Sequence, residues 1–120
     1  MPDTHTETEI QNGLLLVRQT QEAGSTRLAL HGELDLANAH SLELTLQEAL
    51  HRGGDVVVDL GKLEFIDSTG ITLLVMALRG PHAEQLSFLP CESAEVCRLL
   101  SLTGLDQRLG LSSARPAARA

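Results

Sequence analysis

The sequence predicts an α/β fold, a four-stranded mixed β-sheet whose strands 2–4 run parallel, with helices packed on it. Three observations predict it. Short runs rich in Val and Leu recur along the chain. The later runs are separated by helix-length segments with apolar residues at steps of three and four. The first two runs are joined by only a short glycine-containing link, which is hairpin spacing.

Residues 1–12 are polar and without period, so they read as a mobile segment ahead of a single domain over residues 13–111. Strand 1 is the run LLLV at residues 14–17, and residues 21–25 form a turn. Strand 2 is TRLALH at residues 26–31, antiparallel to strand 1. Asp35 or Asn38 can cap the helix that follows, and Ala39, Leu42, Leu46, Ala49 and Leu50 form its apolar stripe. Gly53 and Gly54 end it. Strand 3 is VVVDL at residues 56–60, with a loop over residues 61–66. The next helix runs to Leu78 and stops at Arg79-Gly80-Pro81. Strand 4 covers residues 85–89, ended by Pro90. Ser93 caps a third helix with Val96, Leu99 and Leu100 inward and Gly104 just past its end. Residues 105–111 have no clear pattern, and SSARPAARA at 112–120 lacks core-forming residues and reads as a loose tail. Helical crossovers between strands 2, 3 and 4 make those strands parallel with right-handed connections.

With 120 residues and 42% hydrophobic content, the chain suffices for one core, but Phe65 and Phe88 are its only aromatics, so that core is aliphatic. The net charge is −7, from 16 acidic and 9 basic residues. That balance argues against nucleic acid and against an anionic membrane surface, both of which call for Lys and Arg. No apolar run is long enough to span a membrane, and the amino terminus lacks the pattern of a signal peptide. Cys91 and Cys97 form neither a disulfide framework nor a zinc pair by their spacing, and read as inert, partly buried thiols in a reducing cytoplasm.

The chemistry concentrates at Asp67-Ser68-Thr69-Gly70, where a strand and loop give way to a helix. Asp67 or Ser68 can cap that helix, and the hydroxyl of Ser68 lies at the positive end of its dipole. A phosphate on Ser68 would add about −1.5 to −2 charge where backbone N–H groups of Thr69, Gly70 and Ile71 can receive it. A partner docked there would meet new bulk and a solvated dianion. Glu33, Asp35, Glu64 and Asp67 would deepen the acidic focus. The plainer reading is that Ser68 and Thr69 only cap the helix. The helix itself is apolar nearly all round, so part of Ile71, Leu74, Val75 and Leu78 forms a patch for a partner, or the third helix and the tail cover it.

Other chemistries have less support. His31 with Glu33 and Asp35 lacks further ligands at metal spacing. No Gly-x-Ser-x-Gly elbow makes Ser68 a hydrolase nucleophile, and no phosphate-binding Gly-rich loop ending in Lys-Ser/Thr is present. The sequence calls for no cofactor, no metal and no catalytic residue.

LHGELDLANA (residues 30–39), VVVDLGKLEFIDSTGITLLV (56–75) and RLLSLTGLD (98–106) together resemble the STAS domain, and within it the bacterial anti-sigma factor antagonists. The resemblance covers about residues 14–111. It implies a STAS-like fold and a protein that is not an enzyme. Such a protein binds an anti-sigma factor that is also a serine kinase, and so frees a sigma factor for transcription. It further implies that the kinase phosphorylates Ser68, which dissolves the complex, and that a metal-dependent protein phosphatase resets it. The partner surface so implied comprises Glu33, Asp35, Asp67, Ser68, Thr69, Gly70, Ile71 and Leu74. The protein is expected to be a cytoplasmic monomer when alone. The alternative is a non-switching STAS scaffold, such as the small subunit of a lipid-transport ABC permease, gripping a constant partner with the same helix.

Overall fold

The computed structural model describes residues 6–111. In chain order the elements are β1 (Thr6–Asn12), β2 (Leu15–Glu22), β3 (Ser25–Leu34), α1 (Ala39–His51), β4 (Asp55–Ile66), α2 (Ser68–Leu78), β5 (Leu86–Leu89), α3 (Ala94–Leu102) and α4 (Leu105–Arg108). They build one sheet in the order β1-β2-β3-β4-β5. The first two pairings are antiparallel, and β3-β4 and β4-β5 are parallel. The α/β class and the parallel run of the last three strands are as the sequence predicts; the strand count is not.

The extra strand is β1. Its sequence TETEIQN is polar, yet it pairs with β2 along its whole length, from Thr6 opposite Gln21 to Asn12 opposite Leu15. It is an edge strand with only Ile10 against the core, so backbone hydrogen bonds hold it and no apolar alternation marks it. The expectation of a mobile segment over residues 1–12 is therefore corrected for residues 6–12. Residues 1–5 and the expected tail at 112–120 lie outside the described residues.

A second correction concerns β4, which continues through the segment read as a loop. Leu63 and Ile66 are buried there, and the strand stays paired with β3 as far as Leu34 opposite Ile66. Register shifts between Ala29 and His31, and between Gly32 and Glu33, each accommodate one extra residue of β4, at Leu60-Gly61 and at Glu64, and break the even alternation a strand normally shows.

One face of the sheet carries Leu15, Val17, Leu28, Leu30, Val56, Val58, Leu60 and Phe88, all buried. Ala39, Leu42, Leu46 and Ala49 of α1, Leu73 and Leu74 of α2, and Val96 and Leu100 of α3 complete the same aliphatic cluster. The unassigned segment at 105–111 closes it, with Leu105, Leu109 and Leu111 inward. Gly104 follows α3 in the left-handed conformation, φ 74°, as its position predicts. The opposite sheet face bears Arg18, Arg27, His31, Asp59 and Lys62 around a shallow concavity of about 690 Å³. Burial raises the pKa of Asp59, but the Gly61 N–H, the Arg27 guanidinium at 2.5 Å and the charge of His31 together outweigh it and hold the carboxyl below its ordinary value.

The cysteines are a third correction. Cys91, in the loop after β5, and Cys97, in α3, form a disulfide with their Cα atoms 5.7 Å apart. Spacing in sequence did not suggest it. The bend of the chain from β5 into α3 brings the two positions within disulfide reach. Neither is a free thiol.

Candidate functional site at the start of α2

Because β3 and β4 are parallel neighbours, their following loops emerge at the same sheet edge, where α/β proteins place their sites. The end of β3 brings Glu33 and the β3–α1 loop brings Asp35; the β4–α2 junction brings Asp67 and Ser68. Backbone and side-chain bonds tie the two together. The Asp67 N–H donates to the Leu34 carbonyl at 3.1 Å. Its carboxylate accepts from the Gly70 N–H at 3.1 Å through Oδ1 and from the Leu36 N–H at 3.2 Å through Oδ2. Asp67 is thus the cap of α2 and the clasp between the two loops.

That settles which residue caps. Ser68 is the first residue of α2, it is exposed, and among the described residues no hydrogen bond engages its hydroxyl. The Ile71 N–H donates to the Asp67 carbonyl at 3.0 Å. Of the backbone donors expected to receive an anion, Gly70 and Ile71 are therefore already engaged. That leaves those of Ser68 and Thr69 in the first turn.

The end of β3 with Glu33 and the loop with Asp35 are held from beneath by Asn38, which is 0% exposed. Its Oδ1 accepts from the Asp35 N–H and its Nδ2 donates to the Glu33 carbonyl, both at 3.0 Å. Asn38 precedes α1 but makes no side-chain cap there. Asp35 accepts from the Ala37 N–H at 3.0 Å, an Asx turn. The sequence marked Asn38 only as a possible cap; its role as a loop staple was missed, and a buried amide seven positions past a strand run is a weak signal by itself. Gly32 has φ 102°, and a Cβ there would lie 2.1 Å from the Leu14 carbonyl oxygen, so the Gly-Glu-Leu-Asp turn needs its glycine.

Two residues expected on the partner surface lie elsewhere. Leu74 is 1% exposed and belongs to the core, because it falls on the side of α2 that faces the sheet. Gly70 is buried too: a Cβ there would sit 2.7 Å from Ile66 Cγ1 and 2.8 Å from Leu34 Cγ, so its smallness lets α2 approach the strands. Glu33, Asp35, Asp67, Thr69 and Ile71 are half-buried around the exposed Ser68. The structure adds apolar neighbours in chain position that the sequence did not single out. Leu36, 77% exposed, follows Asp35, and Phe65, 39% exposed, precedes Ile66 and Asp67. Since β5 pairs only with residues 56–59 of β4, α3 lies beside the far half of that strand. A groove of about 220 Å³ remains there, lined by Phe65, Ile66, Glu95, Val96, Arg98, Leu99 and Leu102. The question of whether α2 is covered has a divided answer: Leu73 and Leu74 are buried, Ile71, Val75 and Leu78 half-buried, and Met76 is 57% exposed.

A family model described as "Mlab, STAS domain" matches residues 17–112. The chain belongs to the STAS family. Among solved structures, this STAS chain is similar to the anti-sigma factor antagonist SpoIIAA in its unphosphorylated form, at 21% identity and a TM-score of 0.64. That match covers 76% of this chain and 83% of the other. It is similar also to an anti-sigma factor antagonist from Mycobacterium paratuberculosis, at 23% identity, a TM-score of 0.65, and coverage of 100% and 98%. The Bacillus cell fate determinant SpoIIAA in its phosphorylated form aligns at 18% identity and a TM-score of 0.53, over 85% and 86% of the two chains. At these identities the shared property is the fold. No curated protein matches the sequence. Among the described residues of this STAS domain, no helix is long and apolar enough to cross a membrane, and no group of three or more His, Cys, Asp or Glu is placed to hold a metal ion. His31, Glu33 and Asp35 form no such group.

Proposed function

We propose that this STAS domain is an anti-sigma factor antagonist, a binding protein and not an enzyme, switched by phosphorylation of Ser68. In its unmodified state it docks on an anti-sigma factor serine kinase through the surface around Ser68, made of Glu33, Asp35, Asp67, Thr69 and Ile71. Docking releases the sigma factor that the kinase holds. The observation that carries the reading is the exposed Ser68 hydroxyl at the first position of α2, free because Asp67 does the capping.

The physics of the switch follows from that placement. The kinase transfers the γ-phosphoryl of its ATP to the Ser68 oxygen. The new dianion lies at a helix N-terminus, which the fold tolerates. A partner in the same place has to desolvate it beside the carboxylates of Asp67, Asp35 and Glu33, and the complex separates. A metal-dependent phosphatase restores the hydroxyl. The metal and the nucleotide belong to those partners. The sheet fold shared with antagonists in both phosphorylated and unphosphorylated forms supports the reading.

The test is to incubate the protein with an anti-sigma factor serine kinase from the same organism and ATP, then map phosphate by mass spectrometry. Phosphate on Ser68 is expected, with binding retained in Ser68→Ala and lost in Ser68→Asp. Phosphate elsewhere, or binding indifferent to Ser68→Asp, overturns it. A second reading is a non-switching scaffold, such as the small subunit of a lipid-transport ABC permease; the description of the matching family model, which names Mlab and no antagonist, favours it. Its mark would be steady copurification with a membrane permease and no phosphate.

A further inference from the structure

The disulfide between Cys91 and Cys97 lies on the helix that walls the groove beside Phe65, and nothing in the switch at Ser68 uses it. Its position is specific. Ser93 caps α3, its Oγ accepting from the Val96 N–H at 3.4 Å and its carbonyl accepting from the Cys97 N–H at 2.9 Å. Cys91 precedes that cap and Cys97 follows it by one turn, so the bond spans the first turn of α3 from outside to inside. On the helix wheel Cys97 lies away from Glu95, Arg98, Leu99 and Leu102, the residues that face the groove.

Three features separate this bond from a staple that the fold requires. α3 is already anchored in the core through Val96 and Leu100, both at most 1% exposed. The bond closes a short local loop, with a sequence separation of 6, and links no distant elements. Both cysteines are half-buried rather than sealed, so a small thiol or peroxide has access to sulfur.

We infer that Cys91 and Cys97 are a reversible thiol–disulfide pair, a redox modification site that sets the order of the first turn of α3 and of the groove wall beside Phe65. The oxidant class is a peroxide. One thiolate attacks a peroxide oxygen, breaking the O–O bond and leaving a sulfenic acid and hydroxide. The second thiolate attacks that sulfur, the S–S bond forms, and the sulfenic oxygen departs as water. In sum two thiols and one hydrogen peroxide become one disulfide and two waters. Two molecules of a monothiol such as glutathione reverse it through a mixed disulfide, becoming oxidised themselves. The reduced pair leaves α3 attached by its core residues but frees residues 91–93 and the cap. If the reading of Ser68 holds, oxidant then has a second route to the docking surface, since Phe65 adjoins both the groove and the Asp67-Ser68 junction.

The experiment uses the full chain without any partner, so its outcome is independent of whether Ser68 is phosphorylated. The protein is equilibrated in buffers of reduced and oxidised glutathione or pulsed with hydrogen peroxide. Free thiols are then alkylated and counted by mass, and amide hydrogen exchange is followed in both states. The expected result is complete interconversion without unfolding. Exchange over residues 92–98 should be at least about tenfold faster in the reduced form, with β3 and β4 unchanged. Cys91→Ser and Cys97→Ser should each reproduce the reduced exchange pattern and form no intramolecular disulfide under peroxide. Thiols that stay free under peroxide, a bond reducible only after denaturation, or equal exchange in both states would each overturn the inference.

Discussion

Replacing Asp67 with alanine removes two acceptors at once, and replacing Ser68 with alanine removes none. In the first variant the Gly70 and Leu36 N–H groups lose their partners at 3.1 and 3.2 Å. The lost cap costs about 1 kcal/mol, with a range of about 0.5–2. The second bond adds at the low end of about 0.5–1.5 kcal/mol, because the Leu36 N–H is exposed and water can take over. The sum is about 1–2 kcal/mol. With a urea dependence of roughly 1.5 kcal/mol per molar, the unfolding midpoint should fall by about 1 M. Ser68→Ala should stay within about 0.5 kcal/mol of the parent, since no bond is lost and alanine is the better helix former. Urea unfolding followed by far-ultraviolet circular dichroism measures both. An equal fall in the two variants would mean that the serine hydroxyl carries structural load, and the claim that it is free for modification would fail.

Three further perturbations probe the supports of the site. Gly70→Ala places a methyl 2.7 Å from Ile66 Cγ1 and 2.8 Å from Leu34 Cγ. Overpacking of about 1–3 kcal/mol should exceed the roughly 1 kcal/mol gained in helix propensity, so thermal unfolding should show a net loss. Asn38→Ala leaves the Asp35 N–H and the Glu33 carbonyl unsatisfied. It should cost about 2–3 kcal/mol in urea unfolding and speed hydrogen exchange through the β3–α1 loop. Asp59 has a depressed pKa in the fold, so its contribution is present above its unfolded value of 3.8 and is lost as pH falls through the lower folded value. Asp59→Asn should therefore flatten the fall of the urea midpoint below about pH 4, and a parallel fall in both proteins would contradict the assignment.

The readable parts of the chain were those where a single side-chain pattern reports a single environment. Of the predicted α1 stripe, Ala39, Leu42, Leu46 and Ala49 are buried and Leu50 is half-buried, and Ser93 caps α3 by its side chain. The parallel order of the last three strands follows from helix-length crossovers, which allow no tighter return. The Asp-Ser-Thr-Gly junction was legible as a helix start, since its capping residues precede an apolar helix. Patterns failed where two environments compete. In β1, solvent surrounds nearly every side chain, and the backbone ladder is joined by one exposed ion pair, Arg18 with Glu9. In β4, register shifts move residues from one face to the other partway along.

The sequence by itself determined the class of the fold, the parallel run of its later strands and the segment that holds the candidate switch, because those depend on local periodicity, crossover length and capping chemistry. Tertiary structure alone decided which of two adjacent residues caps α2 and which is left exposed. It decided also that Leu74 points inward, that Asn38 staples the β3–α1 loop and that Cys91 meets Cys97. Each of those depends on what a neighbouring strand or loop places within about 3–6 Å, a distance that spacing along the chain does not encode.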